Sequence, residues 1–436
     1  MKEDHAGTAL LEDVLGGRWI DPDGGGAPDF SALCVTIART LQGREAGCLA
    51  PLALGRRHAV VCDRTTREVL GDRVGRALSK LGPVEMIVLD DPHADEHTAD
   101  ALRIACAKAD VLVAVGSGTI SDLCKIAAAT DAKPYVVFAT APSMNGYASA
   151  NAAITVHGHK QTLPAALPRG VFIDLEVLAR APARLIRAGV GDSICRSTAQ
   201  ADWLLASHVR GEPYRQAPFT WLANDEPGWL DAPEALLEGD LAAMEALART
   251  LVLSGLGMTL CGSSHPASQG EHLISHYIDM FAPPGRAPAL HGEQVGIATL
   301  TMARIQEALL DGPAPMVKPA GMTRQDMQQR FGESIGASCW NAFAPKHLSV
   351  AGATTMNLRL AAGWDAVRAV IEPVLVGAER IGDVLRRIGA PTRAADIGLA
   401  PDFYAEAVRN ARFIRDRYTF LDLADDSERL ATLAPG

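Results

Sequence analysis

Three segments of this 436-residue chain carry residue types that bind metal ions: GVGDSICRSTAQADW (189–203), SSHPASQGEHLISHYIDM (263–280) and HGEQVGIATL (291–300). His272 and His276 stand four residues apart, so a helix would place them on one face. Asp192 and His291 each occupy a glycine-flanked position that reads as a helix start. One carboxylate and two imidazoles would make a three-ligand site with an open coordination position, as catalytic zinc requires. The same HxxxH spacing is common in exposed histidine pairs, and sequence alone does not bring distant segments together.

A second group of residues suits a nucleotide. In VAVGSGTISDLCK (113–125) an apolar run ends, glycines turn the chain and a helix begins. Gly116 and Gly118 remove side chains where backbone must approach a ligand. The new helix would aim free N–H groups and its positive end at that space, which suits a pyrophosphate. A tight strand-to-helix turn would look the same, and the spacing is not GxGxxG. Asp63 ends the run HAVVCD, where a carboxylate can accept hydrogen bonds from a ribose diol, or can simply cap a turn. Arg64 beside it could tolerate a ribose 2′-phosphate, which leaves NAD and NADP both open. In FATAPSMNGYASANAAI (138–154), Thr140, Ser143, Asn145 and Ser149 crowd polar groups after an apolar run. Such a loop either lines a cofactor cleft or is a plain polar turn.

The elements that must position these groups follow from hydrophobic periodicity. HAVVCD (58–63), PVEMIVLDD (83–91), VLVAVGSG (111–118) and PYVVFAT (134–140) read as strands. Helical patterns over 65–82, 94–108 and 120–129 separate them. Continuous apolar strands alternating with helices predict a parallel sheet covered on both faces. Past residue 180 helical spacing dominates, so we expect an α/β domain over 1–180 and an all-helical domain over 181–436. GGGAP (24–28) and FAPPGRAP (281–288) read as loops.

Composition narrows the function. The chain is 48% hydrophobic and 21% charged, an ordinary globular balance with ample core for two or three domains. A net charge of -10 without a long basic run argues against a nucleic-acid surface. The charged N-terminal stretch does not read as a secretory signal, and no uninterrupted apolar stretch approaches the roughly 20 residues of a membrane helix. The eight cysteines (34, 48, 62, 106, 124, 195, 261, 339) include no CxxC pair and read as reduced, buried residues of a cytoplasmic protein.

Taken in order, Asp63, GSGTISDLCK, TAPSMNGYAS, GVGDSICR, SSHPASQGEHLISHYIDM and HGEQVG resemble the sn-glycerol-1-phosphate dehydrogenase branch of the iron-containing alcohol dehydrogenase and dehydroquinate synthase superfamily. The likeness weakens before about residue 50 and after about residue 300. It implies an N-terminal dinucleotide-binding α/β domain and a C-terminal helical, metal-binding domain. It implies Asp192, His272 and His291 as metal ligands, and Gly116, Ser117, Gly118 and Thr119 as the pyrophosphate loop. Asp63 would contact the ribose, and Thr140 and Ser143 the cofactor. Asp122 and His276 fall where the family places catalytic, substrate-side groups, while Lys125 supports either the loop or the substrate region.

Iron-type members carry a histidine four residues beyond the metal aspartate; here that residue is Arg196. The metal expected is therefore zinc before iron, with nickel or manganese compatible with mixed oxygen and nitrogen ligands. Arg196 could bind a substrate phosphate, or pair with Asp202 or Glu271. The implied reaction interconverts dihydroxyacetone phosphate and sn-glycerol 1-phosphate with NAD(P), in a homo-oligomer (dimer or higher) without membrane insertion. The alternatives are a dehydrogenase of an unphosphorylated polyol or alcohol, a dehydroquinate-synthase-like carbon–oxygen lyase, and a binding protein that kept the fold and lost the metal.

Overall fold

The computed structural model describes residues 5–26, 29–156, 159–283, 285 and 289–434. The loops expected over 24–28 and 281–288 therefore lie partly outside the described residues.

Eight strands are present: β1 (Cys34–Ala38), β2 (His58–Asp63), β3 (Val84–Leu89), β4 (Val111–Gly116), β5 (Tyr135–Ala139), β6 (Asn151–Val156), β7 (His159–Pro164) and β8 (Gly170–Asp174). Six form one parallel sheet in the order β1-β8-β5-β4-β2-β3. The four inner strands are almost wholly buried, and the edge strands β1 and β3 are half-buried. That is why the inner ones read as unbroken apolar runs. All four expected strands are present. β1, β8 and the antiparallel β6–β7 hairpin add to them. The hairpin takes up the end of the segment expected to be a polar loop, because Asn151–Val156 pairs along its length with His159–Pro164.

Several helices position polar groups: α1 (Gly118–Thr130), α2 (Ala183–Ser193), α3 (Arg196–Arg210), α4 (Leu241–Cys261), α5 (Gly270–Phe281), α6 (His291–Leu310) and α7 (Phe420–Asp426). The chain divides into two compact units. One comprises Met1–Ser193 and Gln216–Ser263; the other comprises Ile194–Arg215 and Ser264–Gly436. This differs from a single boundary near Arg180, since α2 and α4 both belong with the sheet. The reason is close packing within the first unit. A Cβ on Gly189 of α2 would lie 1.6 Å from the Pro142 carbonyl oxygen, and one on Gly255 of α4 would lie 2.8 Å from that of Asn145. Both helices thus clamp the chain that follows β5, which a periodicity reading does not reveal.

α4 is long and apolar enough to cross a membrane by length and composition, but most of it is buried in this unit's core. Its Arg249 is buried and ion-paired with Asp225 at 2.7 Å.

The second unit is helical throughout its described residues. Helices α3, α5 and α6 pack against one another, and the turn Ala411–Phe413 packs on α5. An aromatic group of Tyr277, Phe281, Phe331, Phe343 and Phe413 fills the core beside them. Arg412 is buried against Asp422 at 3.1 Å and Asp426 at 2.7 Å, and also bonds Asp425. This network fixes the segment leading into α7. No disulfide forms among the described residues.

Candidate active site

In the first unit, the candidate cofactor residues gather at the carboxyl ends of neighbouring strands. β2 leads outward to β3; the chain then returns to β4 and continues on the other side to β5. The topology reverses between β2 and β4, and a crevice at such a reversal is where doubly wound sheets bind nucleotides. Asp63 ends β2 on one side, and Gly116 ends β4 on the other. Ser117 precedes α1, and Gly118 and Thr119 open it, so their backbone N–H groups belong to the unsatisfied first turn. A Cβ on Gly116 would strike Ile120 at 2.6 Å. At Gly118 a Cβ would meet only Met144, at an ordinary 3.6 Å. Gly116 is therefore needed for the turn itself, while Gly118 leaves room for an approaching group.

Asp63 also has a local task. Its Oδ1 accepts from the Thr66 N–H at 2.7 Å, and the Thr66 hydroxyl sits 3.0 Å from the Asp63 N–H, a reciprocal cap. Arg64 pairs with Asp90 at 3.0 Å, both largely exposed.

Thr140, just past β5, is buried and donates its N–H to the Gly116 carbonyl at 3.1 Å. Ser143 follows within the loop clamped by Gly189. Lys125 is fully buried and tethers this chain. Its Nζ donates to the Gly146 carbonyl, to Ser149 Oγ at 3.2 Å and to the Asn151 carbonyl at 3.0 Å, with Asp122 Oδ1 at 3.6 Å. Burial lowers the Lys125 pKa, against the pull of Asp122. Of the two roles open for Lys125, loop support is the one these contacts describe. Asp122 Oδ2 also accepts from the Ala153 N–H at 3.2 Å, tying α1 to β6. Asp192, in the last turn of α2, is buried, and its Oδ2 accepts from the Asn145 N–H at 2.8 Å.

In the second unit, three histidines converge. His272 and His276 lie one turn apart on α5, and His291 opens α6. Ring centroids are 5.1 Å apart for His272–His291, 6.1 Å for His276–His291 and 6.2 Å for His272–His276. Ring nitrogens of His272 and His291 come within 4.8 Å of each other. Behind His272 stands Glu271, fully buried, with Oε1 2.9 Å from His272 Nδ1. The same oxygen accepts from the Gln269 N–H at 2.7 Å, while Thr198 donates to Oε2 at 3.1 Å. Burial would raise this carboxyl, but the His272 hydrogen bond and charge and the nearby N–H groups outweigh it, so its pKa is lowered. A carboxylate bonding Nδ1 fixes the tautomer and turns Nε2 outward, the support that metal-binding imidazoles use. His291 is set similarly: its Nδ1 lies 3.4 Å from Ser275 Oγ, which donates to Gln294 Oε1 at 2.9 Å. The donor set fits a divalent metal.

His276 Nδ1 is buried and has no hydrogen-bond partner among the described residues. Burial pushes its pKa well below the ordinary value, helped by Arg415 and the neighbouring histidines. Arg196, at the start of α3, donates from Nη1 to Gln200 Oε1 at 3.0 Å. Glu271 enters here in a role its sequence position did not suggest. The signal was its place directly before His272, but its burial was needed to read it.

The chain is similar to known proteins in sequence and in fold. Residues 36–182 match the family model for iron-containing alcohol dehydrogenase. A glycerol-1-phosphate dehydrogenase [NAD(P)+] of Bacillus licheniformis is 30% identical over 84% of this chain and 82% of its own length. One from Pyrococcus furiosus is 30% identical over 83% of this chain and 84% of its own. The crystal structure of glycerol dehydrogenase from Schizosaccharomyces pombe shares the fold, with a TM-score of 0.61 at 18% identity, covering 92% of this chain and 89% of that one.

Proposed function

The chain belongs to the glycerol-1-phosphate dehydrogenase branch of the iron-containing alcohol dehydrogenase superfamily. From that premise we propose that it interconverts dihydroxyacetone phosphate and sn-glycerol 1-phosphate with NAD(P). The observation that carries the reading is the kinship to enzymes of that name over four-fifths of both chains. The convergence of His272, His276 and His291, with a buried carboxylate behind His272, supports it.

In this reading Asp192, His272 and His291 hold a divalent metal, with zinc preferred over nickel or manganese. The metal supplies Lewis acidity that polarises the ketone oxygen, and the nicotinamide supplies the hydride. The chain does the positioning. Glu271 holds the His272 imidazole in one tautomer, and Ser275 does so for His291. His276, with a buried nitrogen lacking a partner, offers a hydrogen bond to a substrate hydroxyl and a path for its proton. Asp122 and Arg196 are assigned to the substrate side. Asp63, Gly116, Ser117, Gly118, Thr119, Thr140 and Ser143 are assigned to the dinucleotide.

The test is nicotinamide absorbance with dihydroxyacetone phosphate, dihydroxyacetone and glycerol, each with both cofactors. Net oxidation of the reduced cofactor by dihydroxyacetone phosphate is expected. Chelation should abolish it, and zinc should restore it. A lyase would return its NAD unchanged, and faster turnover of unphosphorylated dihydroxyacetone would make the protein a polyol dehydrogenase.

A further inference from the structure

Between Phe413 and α7 the second unit contains two arginines, Arg415 and Arg417, whose surroundings differ sharply from those of Arg412. Arg412 is buried among three carboxylates, a fully compensated structural cation. Arg415 and Arg417 are half-buried, and among the described residues neither forms an ion pair. Arg417 is nonetheless held rigidly. Its Nη2 donates to Ser264 Oγ at 2.7 Å and its Nη1 to the Ser268 carbonyl, which pins the guanidinium beside the chain entering α5. Its Nε is buried without a hydrogen-bond partner. Arg415 has no hydrogen bond among the described residues.

Two half-buried guanidiniums two residues apart, neither ion-paired to a carboxylate among the described residues, make an unbalanced arrangement that an anion would complete. Burial followed by the charge of Arg415 lowers the Arg417 pKa to about 10. Arg417 is anchored on the chain that leads directly into α5, the helix that carries His272 and His276. The nearest acids do not neutralise it: Asp416 is exposed, and Glu271 is committed to His272 and Gln269.

We propose that Arg415 and Arg417 form the element that recognises the substrate's phosphate, with Arg417 as the fixed fork and Arg415 as the second charge. A dianionic phosphate monoester matches paired guanidiniums in charge and in bidentate geometry. This inference rests on the proposed substrate but does not depend on Arg196, whose guanidinium already bonds Gln200.

The test uses metal-loaded, full-length enzyme. Arg415→Gln is the primary variant, because Arg415 makes no hydrogen bond whose loss would disturb folding. Arg417→Lys keeps a charge and loses the fork. Thermal unfolding and metal content establish that both variants are folded. The first readout is the ratio of kcat/KM for dihydroxyacetone phosphate over dihydroxyacetone. The second is calorimetric binding of inorganic phosphate. In Arg415→Gln the ratio should fall about 30-fold or more, the scale for a lost buried charge contact, and phosphate binding should weaken about tenfold or more. If wild type favours the phosphorylated ketone and both variants keep that preference and their phosphate affinity, the inference is overturned while the substrate assignment stands. If Arg196→Ala alone erases the preference, Arg196 is the phosphate ligand and the inference is again overturned. If wild type favours dihydroxyacetone yet Arg415→Gln loses phosphate binding, the anion site stands and the substrate assignment falls. If wild type shows neither preference nor phosphate binding, both fall.

Discussion

At the carboxyl edge of the sheet, the polarity we propose to face a ligand is largely backbone: the first turn of α1, the glycines that expose it, and a loop tied down by Lys125. In the helical unit it is side chain: three imidazoles, a supporting carboxylate and a pair of arginines, drawn from segments more than a hundred residues apart. A backbone site tolerates many side-chain changes, because the strand ends fix its geometry. A side-chain site depends on every supporting contact, because each imidazole has to be held in one tautomer and one orientation. Substitutions should therefore cost far more in the second unit than in the first.

The sharpest break is expected behind His272. His272→Ala should abolish both bound metal and turnover. Glu271→Gln keeps the shape but replaces the carboxylate that accepts from Nδ1. Metal affinity should then fall about 10–100-fold, the usual cost of losing such a partner. Chelator competition measures it directly. If Glu271→Gln binds metal as tightly as wild type, His272 is not oriented through Glu271.

An effect on stability and not on chemistry is expected at Asp202, a fully buried carboxyl that joins two helix starts. Its Oδ2 accepts from the Gly270 N–H at 2.9 Å and its Oδ1 from the Phe420 N–H at 2.9 Å, with Gln306 Nε2 at 3.2 Å. Asp202→Ala would strand these buried donors, about 1–3 kcal/mol for each. Burial, and then the charge of Glu271, raises the Asp202 pKa to about 8. In the unfolded chain the proton leaves near pH 4, whereas the folded state keeps it to about pH 8. The unfolded state thus binds fewer protons across that window. Stability falls as pH rises, by up to ~1.4 kcal/mol per pH unit, and levels off above the folded pKa. Asp202→Asn cannot titrate, so its stability relative to wild type should improve from pH 5 to pH 8. A stability difference that stays flat across that range would show that Asp202 is ionised throughout.

What the sequence disclosed follows the same division. The four expected strands and the glycine turn were legible because each is a local pattern, an apolar run or a spacing within a few residues. The sheet membership of α4 was not, because it depends on Gly255 meeting the Asn145 carbonyl across more than a hundred residues. β1 escaped notice because Thr36 interrupts its short apolar run, CVTIA. His272 and His276 could be paired from their spacing alone, and His291 stood out by its glycine-flanked place, but only the family resemblance joined it to Asp192 and His272 as one ligand set. Arg415 and Arg417 carry no local mark of their surroundings, and the mark Glu271 carries, its place directly before His272, could be read only with its burial. Of the alternatives left open at Asp63, one is visible directly: it is a helix cap.

The cap makes Asp63 the mildest and most discriminating test of the backbone-built site. Only Oδ1 is used by Thr66, and Oδ2 has no partner among the described residues, so a ribose hydroxyl could be bound without breaking the cap. Asp63→Ala removes both functions and should cost about 1 kcal/mol of stability, as cap losses do. Asp63→Ser separates them, because serine caps nearly as well but lacks the second oxygen and the reach. If Asp63 binds ribose, both variants should raise KM for NAD several-fold and raise KM for NADP less, since only NAD presents a free 2′-hydroxyl there. Arg64 supplies the opposing arm. Its exposed pair with Asp90 contributes at most about 1 kcal/mol, so Arg64→Ala should leave stability almost unchanged. A rise in KM for NADP alone would then identify Arg64 as the contact for a 2′-phosphate. Should Asp63→Ser retain wild-type KM for both cofactors while Asp63→Ala loses only stability, Asp63 is a cap and nothing more, and the ribose must be held from the β4 side of the crevice.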